Sequence, residues 1–211
     1  MPAHKHRAMM QGIEKIWFAT GNEHKRRELA EILAPRYAVN IPSDAGIVFA
    51  PEETGSTFLE NALIKARALF DIVKEPVVAD DSGLCVDALN GGPGVLSARY
   101  GNVEGKKLVD SERNRLVLRE LGGSTNRKAR FVCAMVIFLE QDRFFIAQET
   151  LEGEIFSEER GQGGFGYDPI LFIPGLGRTV AELASTEKNR LSHRAKAGAA
   201  IGRLYGSIHH V

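Results

Sequence analysis

The sequence predicts an α/β protein: a mixed central sheet flanked by helices. Three observations predict it. Short apolar runs of strand character alternate with helix-period segments, and the chain opens with a strand, a small-residue turn and a capped helix. Two long strand-like runs then adjoin through a two-residue turn, so hairpins as well as crossovers feed one sheet.

Residues 13–19, IEKIWFA, read as the first strand and Thr20, Gly21 and Asn22 as the turn after it. Asn22 is placed to cap a helix whose Leu29, Ile32 and Leu33 share a face and which Pro35 ends. Residues 37–41 make a second strand. After a loop holding PEETGS, the segment TFLENALIKARALFDIV has helical periodicity, with Thr57 and Glu60 as a capping box. Ala62, Leu63, Ala66, Phe70 and Val73 form its expected buried face, and Asn61 and Lys65, four apart, share another.

The third strand is VVADDSGL, residues 77–84: an apolar run that stops on Asp80 and Asp81 and passes into a Ser-Gly turn. Successive strand side chains point to opposite faces, so at most one of the two carboxylates points straight into a shared site. Turn-rich ALNGGPG leads to a third helix around SERNRLVLREL, ended by Gly122 and Gly123. Residues 128–140 and 143–154 flank Gln141 and Asp142 as the hairpin, and residues 169–173 add one short strand. A final helix runs through RAKAGAAIGRLYGSI with Ser192 as its N-cap.

At 211 residues and 44% hydrophobic, the chain fits one substantial core, expected over residues 13–211 as a single two-lobed domain, with residues 1–12 as a mobile extension. Lys and Arg number 27 and Asp and Glu 27, so no overall field draws the protein to nucleic acid or an anionic membrane. Cys85 and Cys133 are too few for a disulfide framework and lie among apolar residues, which points to reduced thiols and a cytoplasmic location. No apolar run has membrane-spanning length.

Four constellations can carry chemistry. TGNEHK, from Thr20 to Lys25, sits where a strand meets a helix and offers a phosphate seat or, alternatively, an ordinary capped turn. The acidic pairs Glu52-Glu53 and Asp80-Asp81 supply hard oxygen ligands suited to Mg²⁺; the alternatives are a solvated acidic turn and a turn-capping pair. GQGGFGYDP is a glycine-dense loop whose Phe165 and Tyr167 either stack on a planar base or fold into the core. EKNRLSHR brings Lys188, His193 and Arg194 to a helix start, as donors to a base or phosphate or as a solvated basic turn. Together these parts describe a nucleoside triphosphate site.

In this order the motifs TGN..K, EETG.TF.ENA..KA, ADDSGL.VDAL.G.PG..SARY, GGFGYDP and EK...SHR resemble the inosine triphosphate pyrophosphatase family, from about Ile16 to the last helix. The resemblance implies a two-lobed α/β fold with an active-site cleft, a homodimer, and Mg²⁺-dependent hydrolysis of ITP, dITP and XTP to the monophosphate and pyrophosphate. By motif, Thr20, Gly21, Asn22, Glu23, His24 and Lys25 bind the triphosphate, assisted by Lys65. Asp81 is the general base and a metal carboxylate, Ser82 contacts substrate, and Glu53, in preference to Glu52, helps hold the metal. Phe165, Gly166, Tyr167, Asp168, Lys188, His193 and Arg194 hold the nucleoside, with a keto oxygen at position 6 accepting from His193 or Arg194. A pyrophosphatase for other modified nucleotides and a non-catalytic nucleotide-binding regulator are the competing readings.

Overall fold

The computed structural model describes residues 13–208; the extension assigned to residues 1–12 lies outside the described residues. One seven-stranded sheet, in the order β2-β1-β3-β4-β5-β6-β7, forms the centre. The chain runs β1 (Glu14–Phe18), α1 (Glu23–Leu33), β2 (Tyr37–Asn40), α2 (Phe58–Val73), β3 (Val77–Val86), α3 (Asp110–Leu121), β4 (Lys128–Glu140), β5 (Arg143–Ile155), β6 (Leu171–Ile173), β7 (Arg178–Thr179), α4 (Ser185–Leu191) and α5 (His193–Ile208). β1 pairs in parallel with both β2 and β3, and every later pairing is antiparallel. No described helix is long and apolar enough to cross a membrane.

Alternation along β3 and β4 divides the core. Val78, Cys133, Met135 and Ile137 pack with Leu29 and Leu33 of α1 and Ala197, Ile201 and Tyr205 of α5 on one face. Val77, Ala79, Val136 and Phe138 pack under Ala62, Ala66 and Leu69 of α2 on the other. Beyond them, Val117 and Leu121 of α3 cover Leu84, Val86, Phe131 and Leu151.

The third strand does not turn at Ser82. Its ladder with β4 continues unbroken through Asp80↔Met135, Asp81↔Ala134, Ser82↔Cys133 and Gly83↔Val132 to Val86. The long partner strand satisfies those backbone groups, and pairing overrides the turn preference of Asp-Ser-Gly. Asp80 and Asp81 are therefore mid-strand residues, not turn caps. The stripe that α2 buries is Phe58, Asn61, Ala62, Lys65, Ala66 and Leu69. The expected separate face for Asn61 and Lys65 is thus wrong: the two polar residues sit inside the helix's 3–4 spaced buried stripe, while Leu63, Phe70 and Val73 are only half-buried.

Asn22 caps α1 and the Thr57/Glu60 box caps α2 as expected. The short α4 was not expected. Ser192 ends it and at once caps α5, its Oγ accepting from the amide of Ala195 at 3.1 Å.

Since β1 pairs with β3 only at Trp17↔Val77 and Phe18↔Val78, β3 runs on past the carboxyl end of β1. The chain winds from β1 to β2 on one side and reaches β3 on the other, with α1 and α2 on opposite faces. That is a topological switch point, where α/β sheets open a crevice.

One close approach closes the far wall. A Cβ on Gly83 would lie 2.3 Å from Ser97 Oγ and 2.5 Å from the Gly94 carbonyl oxygen. Ser97 Oγ in turn accepts from the amide of Leu84 at 2.9 Å. Gly83→Ala is expected to lower stability by about 1–3 kcal/mol, since this packed backbone can relax only by moving; an unchanged denaturation midpoint would contradict it.

Candidate active site

A cavity of about 480 Å³ opens at this switch point. Its wall includes Thr20, Gly21, Asn22, His24, Lys25, Glu53, Lys65, Asp81, Ser82, Phe165, Gly166, Tyr167, Asp168, Lys188, His193 and Arg194. Almost every residue singled out in the sequence is gathered there from five separate segments. Glu23, Glu52 and Asp80 are not: Glu23 is exposed and pairs with Arg26 at 3.6 Å, Glu52 is exposed, and Asp80 is buried and absent from the wall.

Strand alternation gives the two aspartates different partners. Asp80, on the α1/α5 face, is 1% exposed. Its Oδ1 lies 3.1 Å from Lys25 Nζ, and its Oδ2 accepts from Arg194 Nε at 3.2 Å and Nη2 at 3.1 Å. Arg194 also donates to Ser82 Oγ at 2.8 Å and to Glu28 Oε2 at 2.6 Å. Glu28 then pairs with Lys188 at 2.7 Å, and Lys188 with Asp168 at 2.7 Å. Three cations and three carboxylates thus alternate through one buried chain. Burial works against the Asp80 carboxylate, but Lys25 and Arg194 overcome it and hold its pKa well below the usual range.

Asp81 points to the α2 face. Its Oδ2 accepts from Asn61 Nδ2 at 3.1 Å, and its Oδ1 lies 3.4 Å from Lys65 Nζ. The same ammonium meets Glu53 Oε1 at 2.7 Å. Here burial prevails over the nearby lysines, helped by the Glu53 charge, and the Asp81 pKa is raised. Burial alone would lower Lys65, and the surrounding carboxylates reverse that and raise it. Adjacent carboxyl groups pushed in opposite directions are the pattern expected of a division of roles.

The Thr20 to Lys25 turn is tightly self-bonded. Asn22 Oδ1 accepts from the amides of His24 at 2.9 Å and Lys25 at 3.2 Å, and Thr20 Oγ1 accepts from the amide of Asn22 at 3.1 Å. The capped-turn reading is therefore correct for those amides, and the cation the turn presents is Lys25. Across the cavity, Asp168 Oδ2 accepts from the amide of Phe165 at 2.9 Å, fixing the glycine-rich loop to Lys188. Gly164 has φ +73 and no room for a Cβ against that carboxylate. Phe165 faces the cavity, whereas Tyr167 is 5% exposed and donates its hydroxyl to the Ser97 carbonyl at 2.9 Å. Of the two aromatics, Tyr167 folds into the core. His193 is buried against Phe131, ring centroids 4.9 Å apart, with Nδ1 unpartnered. Burial, with Arg194 and Lys188 nearby, lowers its pKa well below 6.5, so it is neutral.

Sequence reasoning missed Glu28, Asn61's tie to Asp81, and the Asp110 carboxylate that accepts from the Gly166 amide at 2.8 Å. Glu28 sits in the charged run EHKRRELAE, where nothing distinguishes it from a solvated face except its offset of three from Lys25.

Glu53 and Asp81 are also the pair that fits a hard divalent cation. Both oxygens converge on one positive charge, the Lys65 ammonium, and no cluster of three or more His, Cys, Asp or Glu exists among the described residues. Two carboxylates completed by substrate phosphate is a Mg²⁺ arrangement rather than a full protein cage.

Fold and cavity together define an α/β protein whose ligand cleft lies at the switch point of a mixed sheet. The chain belongs to the Ham1 family, whose model matches residues 16–203. A Treponema denticola protein named dITP/XTP pyrophosphatase is 54% identical over 190 residues, covering 90% of this chain and 97% of that one. A Geobacillus kaustophilus protein of the same name is 47% identical, covering 88% and 91%. The HAM1 protein structure from Coxiella burnetii superposes with a TM-score of 0.83 at 39% identity, over 92% of this chain and 99% of that one.

Opposite pKa directions give opposite stability outcomes in metal-free protein. Asp80→Asn leaves buried cations unpaired and is expected to cost about 3–5 kcal/mol in denaturant unfolding. Ionised Asp80 supports the fold above the ordinary pKa of 3.8, and that support is withdrawn as pH falls below 3.8 through its lowered value. The wild type's loss of stability over that window is expected to flatten in the variant. Asp81, raised in the fold, is less stable ionised than in the unfolded chain, so Asp81→Asn is expected to hold or raise the midpoint. Equal losses for the two variants would contradict the division.

Proposed function

We propose that this protein is a nucleoside triphosphate pyrophosphohydrolase that converts ITP, dITP and XTP to the monophosphate and pyrophosphate. The observation that carries the reading is Asp81: a carboxylate with a raised pKa, facing the cavity, bonded to Asn61 and set beside Lys65 and Glu53. The names of the relatives support the same activity.

In this reading Asp81 accepts the proton of the attacking water while its other oxygen stays on Asn61 Nδ2, which keeps the carboxylate aimed. Lys25 and Lys65 both line the cavity and meet the charge that develops on the phosphate chain and the departing pyrophosphate. Glu53 and Asp81 would hold Mg²⁺, which would supply positive charge and make a water more acidic. Thr20 to Asn22 shape the phosphate end, and Ser82 is presented by Arg194. Phe165, Asp168, Lys188 and His193 form the nucleoside end. There a neutral His193 offers one N–H to a keto oxygen. Arg194, whose Nε, Nη1 and Nη2 are all engaged, acts chiefly by holding that wall together.

The same reading takes residues 13–211 as one two-lobed unit, acting as a cytoplasmic homodimer. Incubation with ITP, XTP, dITP, GTP and ATP, with and without Mg²⁺, is expected to release pyrophosphate from the first three only when the metal is present. Orthophosphate as the sole product would overturn it. Asp81→Asn is expected to lower kcat by at least about 100-fold, the scale of a lost general base.

A further inference from the structure

The ring of Phe165 is already occupied. Lys188 Nζ lies 4.6 Å and Arg194 Cζ 5.7 Å from its centroid. Both cations are buried and locked by ion pairs to Glu28, Asp168 and Asp80. The imidazole of His24 stacks on the same ring, centroids 5.2 Å apart and planes inclined by 23°. His24 is exposed, on the first turn of α1, and reaches across from the phosphate end of the cavity to the nucleoside end.

A single stacked pair already spans about 4.5–7 Å between centroids, so no third ring fits between His24 and Phe165 as they stand. A planar ligand that stacks on Phe165 must displace either a cation held in a buried ion-pair chain or an imidazole open to solvent. Removing the first leaves uncompensated buried charge; removing the second exchanges one stack for another.

We propose that His24 is a stand-in for the nucleobase, covering the face of Phe165 that a purine takes and leaving it when the nucleotide binds. This rests on the assignment of Phe165 to the nucleoside end. His24 is then a specificity-site residue acting on base affinity rather than a contact to the triphosphate. The self-stack is broken equally for ground state and transition state, so its removal strengthens uniform binding: KM falls and kcat does not follow.

The test uses the full chain with Mg²⁺ and ITP. His24→Ala is expected to lower KM by about two- to ten-fold, the worth of one stacked pair, while His24→Phe, which keeps a ring on Phe165, holds KM above that of His24→Ala. Inorganic triphosphate, which has no base, is expected to inhibit the wild type and His24→Ala with the same inhibition constant. A raised or unchanged KM in His24→Ala overturns the proposal, as does a matching change for inorganic triphosphate, which would put His24 at the phosphates. Phe165→Ala separates the underlying assignment: it is expected to raise KM. If it does and His24→Ala fails to lower KM, only the stand-in role falls; if it does not, the nucleoside-end assignment falls with it.

Discussion

The buried pairing of Asp80 with Arg194 is the constraint on which the site depends. The two side chains are 1% and 2% exposed, and each would be prohibitively costly to bury alone. Their bond joins the middle of β3 to the first turn of α5, and Lys25 adds α1 to the same carboxylate. Through Glu28, Lys188 and Asp168 the chain of charges then reaches the glycine-rich loop. Elements far apart in the sequence are thereby held to one geometry by groups that cannot separate without stranding a charge.

Such a network is weak as a source of net stability and strong as a source of position. Replacing it with apolar residues of similar volume would leave a core but no fixed relation between the two ends of the cavity. The cost of desolvating six charged groups is offset by their alternation of sign and by the hydrogen bonds each makes. Within the site, burial still raises the pKa of Asp81 despite its partners, and Nδ1 of His193 is left without a hydrogen bond. Both residues line the cavity.

Much of this was legible beforehand. The caps at Asn22 and Thr57, the long hairpin and the opposite orientations of Asp80 and Asp81 depend only on near neighbours and on the period of a strand. The turn that Asp-Ser-Gly favours locally does not form at Ser82, because β4 offers a complete ladder and a mid-strand position is the outcome. Local periodicity places Asn61 and Lys65, four apart, on a face other than the apolar one. In the folded chain they meet Asp81, and burial of a paired polar group ceases to be a penalty.

The sequence alone therefore determined most of the elements, the caps of α1 and α2 and most of the site's side-chain types, since these follow from residues within a few positions of one another. Only the tertiary structure decided which charges neutralise which, that Asp80 would be the anchor and Asp81 the carboxylate lining the cavity, and that His24 would lie on Phe165. Those outcomes turn on distances between residues 16 to 166 positions apart. Such distances are set by sheet register and helix packing, which no local pattern encodes.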